Sequence, residues 1–369
     1  MYRKIAISRA SGAAAVAAAV AGLALTGVAA DVSAADYYEG KTVTVIIGRP
    51  AGSGNDLAVR SFMNYWTNYI PGKPTMVAKN VAGGGGKVAF NQIYERSAPD
   101  GLTLVFQPYD PIPQILGDKG LKADFTKMPF VGGLQNPSLT YVSAEVAKKR
   151  EDILKAKGVL YGGQRPHNRF DLFGRMGFDM LGVDYRYSTG FPGSVKVFQA
   201  LQRGEIQVQT VGYNVYQRHA APKMVAEGKA TPLWYHPSVT LDGEFVDMKS
   251  TFGDIPSFPT VYKQIKGSEP SGELFELYKW MLAAVNGMSY SVFLPPGTPD
   301  DVVGILRAGF DKVTKDPGYL ADERKMFDFN LPVIDAKTGS GFVRMINTVS
   351  PERVKFLATY IDKVKEKKQ

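Results

Sequence analysis

The sequence predicts an α/β protein built from two lobes. Three observations carry this: glycine-rich loops placed where a strand gives way to a helix, a second α/β block in mid-chain, and a length of 369 residues, too great for one ordinary core. A composition of 44% apolar and 11% aromatic residues is ample to fill both lobes, so the chain reads as folded.

The first loop, Gly48-Arg49-Pro50-Ala51-Gly52-Ser53-Gly54-Asn55-Asp56, follows the β-rich run Thr42-Val43-Thr44-Val45-Ile46-Ile47. Beyond it Leu57, Val59, Phe62 and Met63 recur at near-helical spacing, so a helix is expected to open on an Asn55-Asp56 cap. A strand at 75–79 leads into the second loop, Asn80-Val81-Ala82-Gly83-Gly84-Gly85-Gly86, and a helix at 88–96. The turn Pro99-Asp100-Gly101 then precedes a strand at 102–106, completing a repeated βαβ pattern. In the second block, strands at 140–142, 159–161, 206–211 and 231–235 are interleaved with helices near 144–155, 170–181 and 195–203 and one ending at 227. Residues 237–272 read as a Pro- and Gly-bearing linker, and 280–294 as an apolar run. Pro295-Pro296-Gly297-Thr298-Pro299 is a turn, and Asp300-Asp301 open the C-terminal helices. The expected division is 35–138 and 251–369 for lobe I and 139–250 for lobe II.

Arg3, Lys4 and Arg9, the small apolar run 12–30 and Val32-Ser33-Ala34 read as a secretory signal peptide cleaved near Ala34. With no cysteine, disulfides, thiolate metal sites and a lipid-modified N-terminal cysteine are ruled out, and a soluble form in a Gram-negative periplasm is expected. The net charge of +9 is scattered, apart from Lys148-Lys149-Arg150 and the lysine-rich tail, and no nucleic-acid motif accompanies it, so no nucleic-acid partner is expected.

Glycine loops at helix starts bring unpartnered N–H groups close to a ligand, and the helix dipole adds a favourable ~0.3–1 kcal/mol for an anion. A small anion is therefore the expected ligand. Nucleotides are disfavoured: the glycines before Lys87 lack P-loop spacing, Val88 stands where Ser or Thr is required, and neither loop carries the dinucleotide fingerprint. No G-x-S-x-G elbow occurs, and His167, His219 and His236 lie too far apart in sequence for a zinc motif, so no metal or cofactor is expected. A third loop, Gly162-Gly163-Gln164-Arg165-Pro166-His167-Asn168, also runs from a strand into a helix and forms the candidate opposing jaw. There Gly162, Gly163, Gln164 and Asn168 offer donors, and Arg165, like Arg49, offers a charge-assisted one. Phe106, Tyr109, Phe191 and Tyr213 stand at expected strand ends as candidate cleft walls, favouring a partly apolar ligand over citrate, and Thr189 completes the candidate set.

In order and spacing these motifs resemble the periplasmic solute-binding proteins of tripartite tricarboxylate transporters, the Bug family. Ala51-Gly52-Ser53-Gly54-Asn55-Asp56 with Arg60 stands for a P-G-G-G-T-D loop, 80–86 for N-R-P-G-A-G-G, and Pro99-Asp100-Gly101-Leu102-Thr103-Leu104 for P-D-G-x-T-L. Tyr161-Gly162-Gly163 matches a Y-G-S loop, Asp254-Ile255-Pro256 D-V-P, and Pro296-Gly297-Thr298-Pro299 A-G-T-P. The resemblance covers most of the chain after the signal region. It implies a two-lobed type II periplasmic-binding (Venus flytrap) fold with a mixed sheet in each lobe. It also implies a monomer that closes on a di-, tri- or aromatic carboxylate and delivers it to membrane permease subunits, without catalysis. By position, the implied contacts are Gly52, Ser53, Gly54, Asn55 and Asp56, then Gly83, Gly84, Gly85 and Gly86, then Gly162, Gly163 and Asn168. Arg49, Asn55, Gly163, Arg165, His167 and Asn168 depart from the family pattern, losing hydroxyls and gaining two arginines, which implies a second anionic group or a differently shaped acid. A secreted hydrolase using Asp56 as base and a ligand-sensing module remain alternatives.

Arg165→Ala is expected to weaken binding of a dicarboxylate more than of the matching monocarboxylate; equal losses by calorimetry would refute a role in reading a distal charge.

Overall fold

The computed structural model describes residues 37–286 and 288–366, so the expected signal peptide and its cleavage point lie outside the described residues. The chain lays down β1 (Thr42–Ile47), β2 (Thr75–Asn80), β3 (Thr103–Gln107) and β4 (Phe130–Leu134). It then crosses to β5 (Ser138–Ser143), β6 (Val159–Gly162), β7 (Tyr185–Ser188), β8 (Val208–Gly212) and β9 (Ala230–His236), and returns for β10 (Tyr290–Phe293) and β11 (Val333–Ile334). The first sheet has the order β11-β4-β10-β3-β1-β2 and the second β7-β6-β8-β5-β9. Both are mixed: β1 runs parallel to β2 and β3 while β10 is antiparallel to β3 and β4, and β6 runs parallel to β7 and β8 while β5 is antiparallel to β8 and β9.

Parallel neighbours need crossover helices. Helices α1 (Gly54–Tyr69) and α2 (Lys87–Arg96) supply them in the first sheet, and α3 (Arg169–Leu181) and α4 (Ser194–Gln202) in the second. Later helices are α5 (Phe258–Lys266), α6 (Glu273–Met281), α7 (Asp300–Val313), α8 (Pro317–Phe327), α9 (Ala336–Arg344) and α10 (Pro351–Glu366). In lobe I, Phe62 of α1 meets Phe106 of β3, Phe310 of α7 and Tyr319 of α8, with ring centroids 4.7–5.3 Å apart. Of the segment expected in lobe I, α7 and α8 pack on the first sheet's side, while α5 and α6 pack on the second: Phe258 meets Trp234 of β9, and Tyr278 meets Phe173 of α3. Helix α10 ties back through Tyr360, whose hydroxyl donates to Asp179 of α3 at 2.6 Å.

The helix expected near 144–155 is replaced by a turn and a short 3₁₀ segment, Arg150–Leu154. The Ser143 carbonyl takes the Val146 and Ala147 N–H groups, and Asp152 takes the Lys149 N–H, so local capping bonds displace helix propagation. β4 escapes sequence reading because Gly132 and Gly133 interrupt it. A Cβ at Gly132 would lie 2.5 Å from the Phe310 ring, so close helix packing demands the glycine.

Phe62→Ala is expected to cost about 3–5 kcal/mol of stability in urea unfolding. A loss below about 1 kcal/mol would contradict this packing.

Candidate functional site

In the first loop Ser53, not Asn55-Asp56, caps α1: it has extended backbone angles (φ −67°, ψ 157°) and its Oγ accepts from the Asp56 N–H at 3.3 Å. Asp56 thereby falls three residues into the helix and turns back. Its Oδ2 accepts from the Gly52 N–H at 2.8 Å, and its Oδ1 from Arg60 Nε at 2.9 Å and Asn80 Nδ2 at 2.8 Å. Asn80 Nδ2 also donates to the Arg49 carbonyl at 3.0 Å, joining the two loops. Burial raises the Asp56 carboxyl, but the bonds from Asn80, Gly52 and Arg60 outweigh it and hold it below the ordinary range.

The second loop has positive φ at Gly83, Gly84, Gly85 and Gly86 (149°, 55°, 73° and 103°). Buried Gln107 fits against it, donating from Nε2 to the Gly86 carbonyl at 3.0 Å. A Cβ would lie 1.7 Å from Gln107 Oε1 at Gly48 and 2.8 Å at Gly86, so those glycines make room for this wedge.

The opposing loop is held the same way. Asn168 caps α3, its Oδ1 accepting from the Phe170 N–H at 3.0 Å, and Asp171 turns back. Asp171 Oδ2 accepts from the Gln164 N–H at 2.6 Å, the Arg165 N–H at 2.9 Å and the Tyr187 hydroxyl at 2.8 Å. The Gly163 N–H goes to the Ser188 carbonyl. This jaw's amides are thus engaged within the lobe, and its side chains are what face the cleft.

Between the lobes lie two adjoining cavities of about 490 and 350 Å³ that share Arg49, Pro108, Arg169, Phe170, Pro192 and Ser194. The larger adds Ser53, Gly54 and Asn55 from the first loop, and the smaller adds Gly85, Asp110, Gln164, Arg165 and Asn168. Among the described residues no carboxylate lies within ion-pair distance of Arg49, Arg165 or Arg169. Burial lowers the Arg49 guanidinium pKa, and nearby Arg165 lowers it further. Burial brings that of Arg169 down to about 10, against the opposing pull of Asp110. The Asp110 carboxyl is itself raised by burial, partly offset by the Ile112 N–H and by His167, Arg169 and Arg165. The amide atoms of Asn55, Oδ1 and Nδ2, are buried with no partner among the described residues. Arg169 Nη2 donates to Ser289 Oγ at 2.8 Å, and the same Oγ accepts from the Asn136 N–H at 2.9 Å, so one hydroxyl joins both interlobe crossings to α3.

Of the candidate residues, Arg49, Ser53, Gly54, Asn55, Gly85, Gln164, Arg165 and Asn168 line these cavities, and Gly84 and Gly86 line a third beside them. Gly52, Asp56, Gly83, Gly162 and Gly163 stand outside the cavity walls, shaping the loops. Phe106 sits in the lobe I core, and Tyr213 packs in lobe II against Tyr216 and Phe252; Thr189, half-buried, follows β7 and lines none of the three cavities. The aromatic walls are Tyr109, one of the expected wall residues, with Phe170 and Tyr290, which sequence reasoning missed together with Asp110, Arg169, Asn136, Asn214 and Ser289. A cue for Arg169 was its place immediately after the cap Asn168; Asp110 had none. His236 is structural, buried between the Thr140 and Tyr278 hydroxyls, and burial lowers its pKa to about 3.

No family model matches the chain, and no curated protein matches it in sequence. Solved structures do match in fold. A TctC solute-binding protein from Polaromonas is 18% identical with a TM-score of 0.63, over 88% of this chain and 99% of that one. The periplasmic binding protein BugD is 16% identical with a TM-score of 0.58, over 88% and 98%. An R. palustris protein with adipate is 15% identical with a TM-score of 0.58, over 87% and 97%. The fold is the two-lobed α/β architecture of these periplasmic binding proteins.

Burial pushes the Asp171 carboxyl up to about 6, against the bonds from Arg165, Tyr187 and Gln164. A pKa raised by folding contributes stability at low pH that is lost as pH rises through the folded value. The stability of the protein relative to Asp171→Asn is therefore expected to fall between about pH 4 and about pH 7 in denaturant unfolding. A flat profile over that range, with stability lost only as pH falls below about 4, would mean that the three donors outweigh burial.

Proposed function

We propose that this chain is a solute-binding protein of the tripartite tricarboxylate transporter type. It is exported with cleavage near Ala34, works in the periplasm as a monomer, captures an organic carboxylate and presents it to membrane permease subunits, with no catalysis and no cofactor. The observation that carries this reading is the convergence of Arg49 from lobe I with Arg165 and Arg169 from lobe II on one cleft whose wall holds a single carboxylate, Asp110. An anion placed there is attracted by both lobes at once and draws them together. Closure excludes water and strengthens each charge-assisted bond. Micromolar affinity needs only ~8 kcal/mol, and a few such bonds at ~1.5–3 kcal/mol each plus apolar burial supply it.

In this reading Asn55, Gln164 and Asn168 add neutral donors and acceptors, and the first-turn amides of α1 at Gly54 and Asn55 supply the helix-end field. The lobes exchange near Asn136 and Ser289, where the Ser289 hydroxyl links Asn136 to Arg169, so that ligand bound at Arg169 acts on the hinge directly. Asp56, the base of a hydrolytic alternative, is engaged by Gly52, Arg60 and Asn80 and has its pKa lowered, which argues against general-base work. The adipate bound by a structural neighbour supports the carboxylate class.

Native mass spectrometry of the freshly purified protein is expected to reveal a co-purified small acid. Arg49→Ala is expected to weaken binding of that acid about 10- to 100-fold by calorimetry. Unchanged affinity in the variant, or turnover of the acid by the unmodified protein, would overturn the proposal.

A further inference from the structure

The arginine-lined cleft does not end at Arg165. Beyond it lies a third cavity, of about 450 Å³, that shares Gly85, Pro108, Asp110 and Arg165 with the smaller cleft cavity. These four residues form a neck between the two spaces. The far walls are mixed: Phe90, Ile112, Leu116, Leu121, Phe125 and, from the C-terminal helix, Ile361 form an apolar part, and Lys87, Asp118, His167 and Asp362 also line the cavity. Phe90, Ile112, Phe125 and Ile361 are buried in the hydrophobic core. The Phe90 and Phe125 rings meet edge to face at 4.7 Å, and Tyr109 meets Phe125 at 4.9 Å, so this wall is built from rings held by one another.

Charge at the rim is distributed unequally. Lys87 is paired with Asp118 at 2.6 Å, whereas Arg165 at the neck is exposed and has no ion pair among the described residues. Its guanidinium lies against Gly85: a Cβ there would come within 3.2 Å of Nη1, so the glycine lets the arginine lie across the neck. The sequence of chemistries from one end to the other is thus half-buried cations, an open cation at a constriction, then a chamber with apolar walls that is also lined by Lys87, Asp118, His167 and, from α10, Asp362.

Resting on the carboxylate reading above, we infer that the ligand is an amphipathic monocarboxylate. Its carboxylate lies between Arg49 and Arg169, and its alkyl or aryl-alkyl body passes Arg165 into the chamber lined by Phe90, Phe125 and Ile361. A small dicarboxylate would complement the arginines and leave the apolar walls without a partner. A longer apolar body adds dehydrated surface at each step, and each buried methylene tightens binding about fourfold.

The test is calorimetry of the purified protein with butanoate, hexanoate, octanoate and adipate. Affinity is expected to rise about fourfold for each methylene that passes the neck, with octanoate binding more tightly than adipate. Leu116→Trp, which fills the chamber from a half-buried position, is expected to bring the octanoate-to-butanoate ratio close to unity. Ala358→Phe, from the opposite wall on α10, is expected to do the same, with melting curves showing that both variants fold. Adipate binding more tightly than octanoate, a flat series, or a ratio untouched by both fillings would overturn the chamber assignment while leaving the carboxylate reading standing. If none of the four acids bound, the monocarboxylate assignment would fall, and the carboxylate reading would stand or fall with the co-purified acid sought by native mass spectrometry.

Discussion

In each lobe an aspartate at the third position of a helix turns back and grips the loop that precedes it. Asp56 holds the Gly52 amide in lobe I, and Asp171 holds the Gln164 and Arg165 amides in lobe II. Glycine-rich segments are otherwise the costliest part of a chain to order, and a ligand that had to order them would lose much of its binding energy. With the loops held by their own carboxylates, the cleft presents side chains in place before ligand arrives. The two grips differ electrostatically. Asp56 has Arg60 as a hydrogen-bonded cation and is stabilised in its charged form, while Asp171 is buried with neutral donors and is easier to protonate.

The loops of lobe I are also held from behind. Gln107 at the end of β3 is wedged between Gly48 and Gly86, and Asn80 at the end of β2 bonds the Arg49 carbonyl and Asp56. Much of the glycine content that looks like provision for a ligand is therefore provision for close backbone packing. What remains for the ligand is the cationic face of the cleft, where guanidinium groups from both lobes meet. Burying cations is unfavourable, and the pKa values of Arg49 and Arg169, lowered first by burial and further by neighbouring guanidinium groups, express that cost. In the proposed reading, an organic anion offsets it most fully when the lobes are closed.

The hinge belongs to the same system. Ser289, on the return crossing, bonds Asn136 on the outward crossing and Arg169 at the start of α3. Helix α10 reaches from lobe I to α3 through Tyr360 and Asp179 while lining the apolar chamber with Ile361. Elements from both lobes and from the chain's end thus meet around one continuous space.

The strand, loop and helix order around both glycine loops and the third loop is legible in the residues, because alternation, turn chemistry and capping residues are local signals. The same holds for most of the first-loop and third-loop side chains that line the cleft. Helix starts were legible to within a residue or two: Ser53 displaced Asn55-Asp56 as the cap because the backbone at Ser53 is extended. Only the tertiary structure could show that Phe106 and Tyr213 turn into cores while Phe170 and Tyr290 face the cleft, since a strand end or helix start exposes whichever side its packing leaves open. Asp110, Ser289 and the apolar chamber were likewise invisible, because they arise where segments distant in sequence come together. The residues by themselves determined a pair of α/β lobes with glycine loops at the helix starts. Long-range packing decided which amides were already occupied, which cations stayed open, and how far the cleft extends.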